Sequence, residues 1–143
     1  MNNLHGAERA KEEYRGKLTS LITAAAVGDC ESIKALIFNG ADVDQAPGYY
    51  RDTPLYVASM KGHIEVVKLL IEAKADVNKE NIYGETPTFR ASRDGHIEVV
   101  KLLIAAGADV NKANENDWTP LYITSLYGRI EIVELLRAAG AKE

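Results

Sequence analysis

The chain has little of the residue types that support catalysis or covalent cross-linking. It holds one cysteine and three histidines in 143 residues, so a disulfide within the chain is excluded. This cysteine usage favours a reducing compartment, and we expect a cytoplasmic or nuclear protein. The sequence contains no Gly-rich phosphate loop, no metal-spaced Cys/His cluster and no nucleophile elbow. We therefore predict no enzyme activity, no cofactor and no metal site.

Excess basic charge and long apolar runs are also missing. Lys and Arg number 17 against 21 Asp and Glu, which gives a net charge of -4, and the two signs are interspersed. This balance argues against a nucleic-acid partner and against an anionic membrane surface. The N-terminus lacks the apolar stretch of a signal peptide, and no run approaches the roughly 20 residues that span a bilayer.

What the sequence does contain is a strict period. Thr53-Pro54, Thr86-Pro87 and Thr119-Pro120 stand 33 residues apart each time. A period of this length is typical of one structural unit that is copied and stacked, each copy relying on its neighbours to complete the core. An eroded copy with Thr19-Ser20 in place of Thr-Pro lies upstream. We predict four repeats at about 18–48, 49–81, 82–114 and 115–143. They are preceded by an N-terminal extension, 1–17, that forms either a capping helix or a frayed tail.

Each repeat is predicted to contain two helices. Thr before Pro is a helix start, because the hydroxyl can cap free amides and Pro suits the first helical position. These first helices should end near Gly62, Gly95 and Gly128. Second helices should run from about Ile64, Ile97 and Ile130, with an apolar band wide enough to be buried on two sides.

The repeated motifs resemble those of the ankyrin repeat. They are Thr-Pro-Leu-Tyr at 53–56 and 119–122, Gly-His-Ile-Glu-Val-Val-Lys-Leu-Leu at 62–70 and 95–103, and Ala-Asp-Val-Asn at 75–78 and 108–111. The resemblance implies an all-α solenoid of stacked antiparallel helix pairs joined by β-hairpin-like loops. It also implies a non-catalytic module that binds a partner protein, as adaptor or inhibitor, through the concave face of the first helices and the loop tips.

The chain departs from the family pattern at several positions. Aromatic residues replace the His that usually follows Thr-Pro-Leu, so the hydrogen bonds of that His must be replaced or absent. Non-glycine residues stand at three turn positions where Gly is expected, and a left-handed backbone there costs a non-Gly residue roughly 1 kcal/mol. The aromatic residues are Tyr56, Phe89 and Tyr122, and the turn residues are Arg51, Lys74 and Asp117.

The third repeat departs most, because Thr88 and Arg90 occupy slots that are apolar in its neighbours. A buried Arg must find a partner or reach water. Two interpretations stay open for Arg90: it extends out of the groove as a solvated side chain, or it takes part in recognition.

The resemblance also implies which residues contact a partner: those just before Thr-Pro and the two before the mid-repeat Gly. Several are of the types enriched at binding hot spots. The predicted partner-binding residues, with Arg90 added, are Tyr49, Tyr50, Asp52, Met60, Lys61, Ile82, Tyr83, Glu85, Arg90, Arg93, Asp94, Glu115, Asn116, Trp118, Leu126 and Tyr127, and in repeat one Arg15, Leu18 and Ala26.

Alternatives to this surface remain. The rings could instead pack between adjacent hairpins. Repeat four keeps an internal apolar pattern, so a structural role through its final face is the second hypothesis, with a monomer expected and weak self-association as the alternative.

His63 and His96 recur at equivalent positions and are interpreted as structural copies, and Cys30 as a core thiol. Asn78 and Asn111 sit where some family members are hydroxylated.

Overall fold

The computed structural model describes residues 21–143, and within them the chain forms a stack of helix pairs. The N-terminal extension 1–17, the Thr19-Ser20 helix start and the predicted contacts Arg15 and Leu18 lie outside the described residues. Residues 21–27 are helical and are called α1. The other helices are α2 (Cys30–Phe38), α3 (Pro54–Lys61), α4 (Ile64–Glu72), α5 (Pro87–Asp94), α6 (Ile97–Ala105), α7 (Pro120–Leu126) and α8 (Ile130–Ala138).

The Thr-Pro dipeptides begin the first helices as predicted. The hydroxyl of Thr53 accepts a hydrogen bond from the backbone N–H of Tyr56, three residues later, at 3.1 Å. The same bond recurs at Thr86 and Thr119. The proline of each pair occupies the first turn, where the missing N–H has no intrahelical partner to lose. Each predicted first helix of the last three repeats is thereby confirmed.

The helices form two layers. The first helices α3, α5 and α7 pack side by side, and each also packs against the second helix of its own repeat. The second helices α4, α6 and α8 form the other layer and approach one another less closely. Such unequal spacing curves the stack, with the first helices on the inner, concave side. The predicted all-α stack of antiparallel pairs is confirmed, and within residues 21–143 the connecting loops contain turns but no strand.

The core lies between the two layers. Small residues on the inner helices allow the close approach, and Ala58 and Ala91 are both fully buried. On the outer helices the apolar band supplies Val67, Val100 and Leu103, also fully buried. Each such side chain contributes about 1.5–3 kcal/mol relative to exposure. Since the band of one repeat packs against the next, the core is continuous along the stack.

Three non-glycine residues adopt the left-handed backbone conformation at the predicted turns. The φ angles are 55° at Arg51, 67° at Lys74 and 62° at Asp117. Gly107, which is equivalent to Lys74 in the next repeat, takes the same region at 89°. The turn geometry is therefore kept where Gly is replaced, and the backbone accepts a cost of roughly 1 kcal/mol at each site. At Lys74 the structure therefore shows an unchanged turn with a strained backbone.

None of the helices in the described part of the chain is both long enough and apolar enough to cross a membrane.

Candidate functional site

The predicted partner-binding residues that fall within residues 21–143 are all at least partly accessible. Lys61, most residues of the loop tips and those around the end of α7 are exposed, whereas the others are half-buried. The exposed set is Tyr49, Tyr50, Lys61, Tyr83, Glu115, Asn116, Trp118, Leu126 and Tyr127. The half-buried set is Ala26, Asp52, Met60, Ile82, Glu85, Arg90, Arg93 and Asp94.

Three tyrosines from two neighbouring loops lie together, and we call Tyr49, Tyr50 and Tyr83 the tyrosine patch. The rings of Tyr49 and Tyr50 meet edge to face with centroids 5.2 Å apart. The rings of Tyr50 and Tyr83 are tilted by 35° at 5.9 Å. Their exposed fractions are 81%, 52% and 40%. The rings therefore pack against one another along the loop tips and still present faces to solvent.

Buried asparagines hold the loops of the later repeats, including the loop that carries Tyr83. The Asn81 side-chain oxygen accepts hydrogen bonds from the backbone N–H groups of Tyr83 and Glu85, at 3.0 and 3.1 Å. Asn114 makes the same pair of bonds in the next loop. The Asn81 amide also donates to Asp52 of the preceding loop at 3.1 Å. Sequence reasoning missed these residues, although their 33-residue spacing was a signal that could have found them.

The loop of repeat two is held differently. It is one residue longer than the others, and Gly48 stands where Asn81 and Asn114 stand in the later loops. Of the bonds that close the later loops, this turn keeps only the equivalent backbone bond, from the Arg51 N–H to the Gly48 carbonyl at 3.1 Å. A backbone bond of 2.9 Å from the Ile82 N–H to the Tyr50 carbonyl ties the loop to its neighbour. This loop therefore depends on the next one for its position.

A polar network joins repeats two and three on the concave side. The Tyr56 hydroxyl donates to Glu85 at 2.6 Å and accepts from the Arg90 guanidinium at 3.3 Å. Arg90 also donates to Asp94 at 2.8 Å, and Arg93 donates to the other oxygen of Asp94 at 3.2 Å. Arg90 thus has partners within the protein, which fulfils the requirement that its burial imposes. Tyr56 also takes over an inter-repeat bond at the position where the family has His.

Burial and charge set the ionisation of this network. Burial, reinforced by the bond to Glu85, raises the pKa of the Tyr56 phenol well above its usual value, so the hydroxyl remains a donor. Burial alone would raise the pKa of Asp94, but the hydrogen bonds and charges of Arg90 and Arg93 outweigh it and lower that pKa. The pKa of Asp52 is raised, chiefly by burial and further by nearby Glu85, despite its bond from Asn81.

Thr88 lies inside the stack and does not face a partner. It is 1% exposed, and its hydroxyl has no hydrogen-bond partner within residues 21–143. Leu55 and Leu121 fill the same slot in the neighbouring repeats and are also buried. Thr88 therefore replaces an apolar core side chain, and it offers nothing to a ligand on the concave face.

Apolar side chains are exposed together on one side of repeat four. Trp118, Tyr122 and Leu126 follow one another at four-residue spacing and are 40%, 49% and 62% exposed. With Ile130, which is 72% exposed, we call these residues the end patch. The ring centroids of Trp118 and Tyr122 are 5.8 Å apart. Sequence reasoning named Trp118 and Leu126 but missed Tyr122, since its equivalent Tyr56 is buried by the repeat that follows.

The histidines link repeats to one another and do not assemble a catalytic group. The Nε2 atoms of His63 and His96 lie 2.9 and 2.8 Å from the carbonyls of Ala26 and Met60 in the preceding repeats. This agrees with the prediction that they are structural copies. Cys30 is half-buried against the core. Within residues 21–143 no group of His, Cys, Asp or Glu side chains is placed to hold a metal ion.

Comparison with known proteins bears on the whole described chain. A family model described as "Ankyrin repeats (3 copies)" matches residues 21–114 and 79–143. The chain is 43% identical over 79 residues to the ankyrin repeat and KH domain-containing protein mask of Drosophila melanogaster, which covers 53% of the chain and 2% of that protein. It is 39% identical over 75 residues to the serine/threonine-protein kinase VIK of Arabidopsis thaliana, which covers 52% of the chain and 17% of that protein.

A third relative is the ankyrin repeat and SOCS box protein 5 of Bos taurus, 38% identical over 63 residues, which covers 44% of the chain and 18% of that protein. The chain therefore spans less than a fifth of the length of these relatives, and the likeness is to their repeat segments. Ankyrin repeats are in general protein–protein interaction modules and typically non-catalytic. The period, the helix pairs and the family match over residues 21–143 together show that the chain belongs to the ankyrin repeat family.

Proposed function

We propose that this chain is a non-catalytic binding module that engages a partner protein through its concave first-helix face and its loop tips, as an adaptor or an inhibitor. The observation that carries the proposal is the tyrosine patch. Exposed rings gathered on one rigid edge supply large contact area at low entropic cost, and Tyr is enriched at binding hot spots. The three rings are exposed by 40–81%, and two neighbouring loops hold them in place.

Hydrogen bonds within the protein fix several of the half-buried candidates. Asp52 and Glu85 lie on the loops, and Arg93 and Asp94 lie at the end of α5. A pre-organised polar margin around exposed rings suits recognition, because little side-chain freedom is lost on binding. In this proposal Arg90 positions Tyr56 and Asp94, and its remaining N–H groups are available to a partner.

A quantitative pulldown from the source cell lysate tests the proposal. The bait is the intact chain, compared with Tyr50→Ala/Tyr83→Ala and with Lys68→Ala/Lys101→Ala, a matched pair on exposed outer-helix positions. We expect the tyrosine variant to lose a bound protein at least tenfold while the lysine variant keeps it, since hot-spot truncation costs 2 kcal/mol or more and 1.4 kcal/mol is a tenfold change. Equal retention by both folded variants would remove the loop tips from the binding surface.

A second candidate function is self-association through the end patch. At α3 and α5 the equivalent side faces the next repeat, so this side of α7 has the shape and apolarity of a stacking face. A second copy that covers it would bury Tyr122, Leu126 and Ile130. Light scattering against protein concentration tests this function, with Leu126→Ser/Ile130→Ser as the disrupting variant. A monomer throughout a range reaching millimolar concentration would refute it.

A further inference from the structure

The partner's chemistry can be specified from the charges around the tyrosine patch, if the proposed function holds. Asp52 and Glu85 each follow a patch tyrosine by two residues, and the backbone N–H of Glu115 donates to the Tyr83 carbonyl at 2.9 Å. These three carboxylates therefore lie on three consecutive loops, and the charges of Glu85 and Glu115 act on the Tyr83 phenol. We call them the carboxylate border.

No cation within residues 21–143 forms an ion pair with the carboxylate border. Arg90 lies near Asp52, but its guanidinium is engaged by Asp94 and by the Tyr56 hydroxyl. Arg51 lies next to Tyr50 in sequence and lines a separate open recess together with Asp42 and Asp44. The negative charge beside the rings is therefore left for an external cation.

The titration of the groups involved agrees with this geometry. Partial burial, then the nearby Tyr50 and Tyr49 and the charges of Glu115 and Glu85, raise the pKa of the Tyr83 phenol. The Tyr83 phenol consequently stays neutral at physiological pH and keeps its electron-rich face. Such a face attracts a guanidinium or ammonium group within about 6 Å of the ring centroid.

We propose that the tyrosine patch and the carboxylate border bind a basic segment of the partner protein, with an Arg or Lys side chain seated against the rings of Tyr50 and Tyr83. The aliphatic stem of that side chain packs on the rings, and its cationic end reaches Glu85 or Glu115. An acidic or a purely apolar segment would cover the three carboxylates without supplying the cationic partner that they lack. The contact therefore selects for positive charge.

A display selection tests the partner's chemistry without knowing the partner. Random 12-residue peptides are selected on the intact chain and, in parallel, on Tyr50→Ala/Tyr83→Ala and on Phe38→Ala, which removes an exposed ring from α2. We expect peptides enriched in Arg and Lys on the unmodified chain and on the Phe38→Ala variant, and their loss on the tyrosine variant. Circular dichroism and thermal unfolding verify that each variant is folded.

Charge-neutral variants then test the carboxylate border. For a selected basic peptide, Glu85→Gln/Glu115→Gln should weaken binding by about three- to tenfold at low salt, with a smaller effect at 0.5 M salt, where exposed charges are screened. An unchanged affinity would overturn the proposal. Patch-dependent peptides without basic enrichment would also overturn it and leave the proposed function standing. Failure of any peptide to depend on the patch would count against both.

Discussion

The interface between repeats two and three uses the same positions as the interface between repeats three and four, with different chemistry. At the first, the Tyr56 hydroxyl meets Glu85 and Arg90 of the following repeat. At the second, Phe89 takes the place of Tyr56, and Ile123 takes the place of Arg90. The Tyr56 ring carries a hydroxyl, and the following repeat supplies groups that form hydrogen bonds with it. The Phe89 ring has no hydroxyl, and the following repeat supplies an apolar side chain at the equivalent position. The difference teaches that a residue of one repeat is matched to the repeat that follows it.

Among substitutions at these interface positions, the largest loss of stability is expected at Phe89, which is 1% exposed. Phe89→Ala should lower the free energy of unfolding by about 3–5 kcal/mol, because it removes buried apolar area and leaves a cavity between two repeats. Tyr122→Ala changes the equivalent position of repeat four, where the ring is 49% exposed. It should cost about 1 kcal/mol or less. Urea unfolding measures both, and equal losses would contradict the role given to the following repeat.

A smaller, pH-dependent effect is expected at Asp94. Asp94→Asn should lower the free energy of unfolding by about 1–2 kcal/mol near neutral pH, because Arg90 and Arg93 lose a charged partner. The folded-state pKa of Asp94 lies below its ordinary value of 3.8. The stabilisation is therefore present above about pH 4 and is lost as the pH falls through the lowered pKa. Urea unfolding at a series of acidic pH values should show the difference disappear.

Asp52 provides the matched control of opposite sign. Its pKa is raised in the folded protein, so its ionised form is disfavoured there. Asp52→Asn, which keeps an oxygen to accept from Asn81, should be slightly more stable than the unmodified chain at neutral pH. That gain should shrink as the pH falls through the raised pKa. If both variants behaved alike with pH, the assignment of the two carboxylates would be wrong.

A further small effect is expected from the hydroxyl that distinguishes the two interfaces. Tyr56→Phe should lower the free energy of unfolding by about 1 kcal/mol, since the bonds of the hydroxyl to Glu85 and Arg90 are lost. A double-mutant cycle with Arg90→Leu should give a coupling energy of about 0.5 kcal/mol or more. Additive losses would show that the hydroxyl and the guanidinium act independently.

The helix boundaries followed from the sequence because they depend on residues close together in the chain. The Thr hydroxyls cap amides three residues ahead, and Pro starts the helix. At the other end, Gly62 and Gly95 take the left-handed conformation, with φ of 75° and 83°. The apolar band of the second helices likewise repeats within a few residues. Local chemistry was sufficient for these elements.

The arrangement of the candidate site could not be predicted in the same way. Tyr56 and Arg90 are 34 residues apart, and their contact depends on how two repeats stack. The exposure of Tyr122 depends on whether another unit covers it, which its own repeat does not encode. The grouping of Tyr50 with Tyr83 requires the spacing of neighbouring loops. Each of these features belongs to a pair of repeats, so reading repeats one at a time does not reveal it.

The contact between His96 and the preceding repeat is a joint whose chemical requirements recur along the stack. Its Nε2 must donate, since the Met60 carbonyl only accepts, and a Cβ at Gly62 would lie 2.6 Å from its ring. This junction thus requires a backbone carbonyl and a glycine in the preceding repeat and a hydrogen-bond donor in the following one. At the next junction, Arg129 is the donor and the Arg93 carbonyl is the acceptor. This joint is therefore the same at both positions, whereas the repeat that can follow is limited by the ring position, as Tyr56 and Phe89 show.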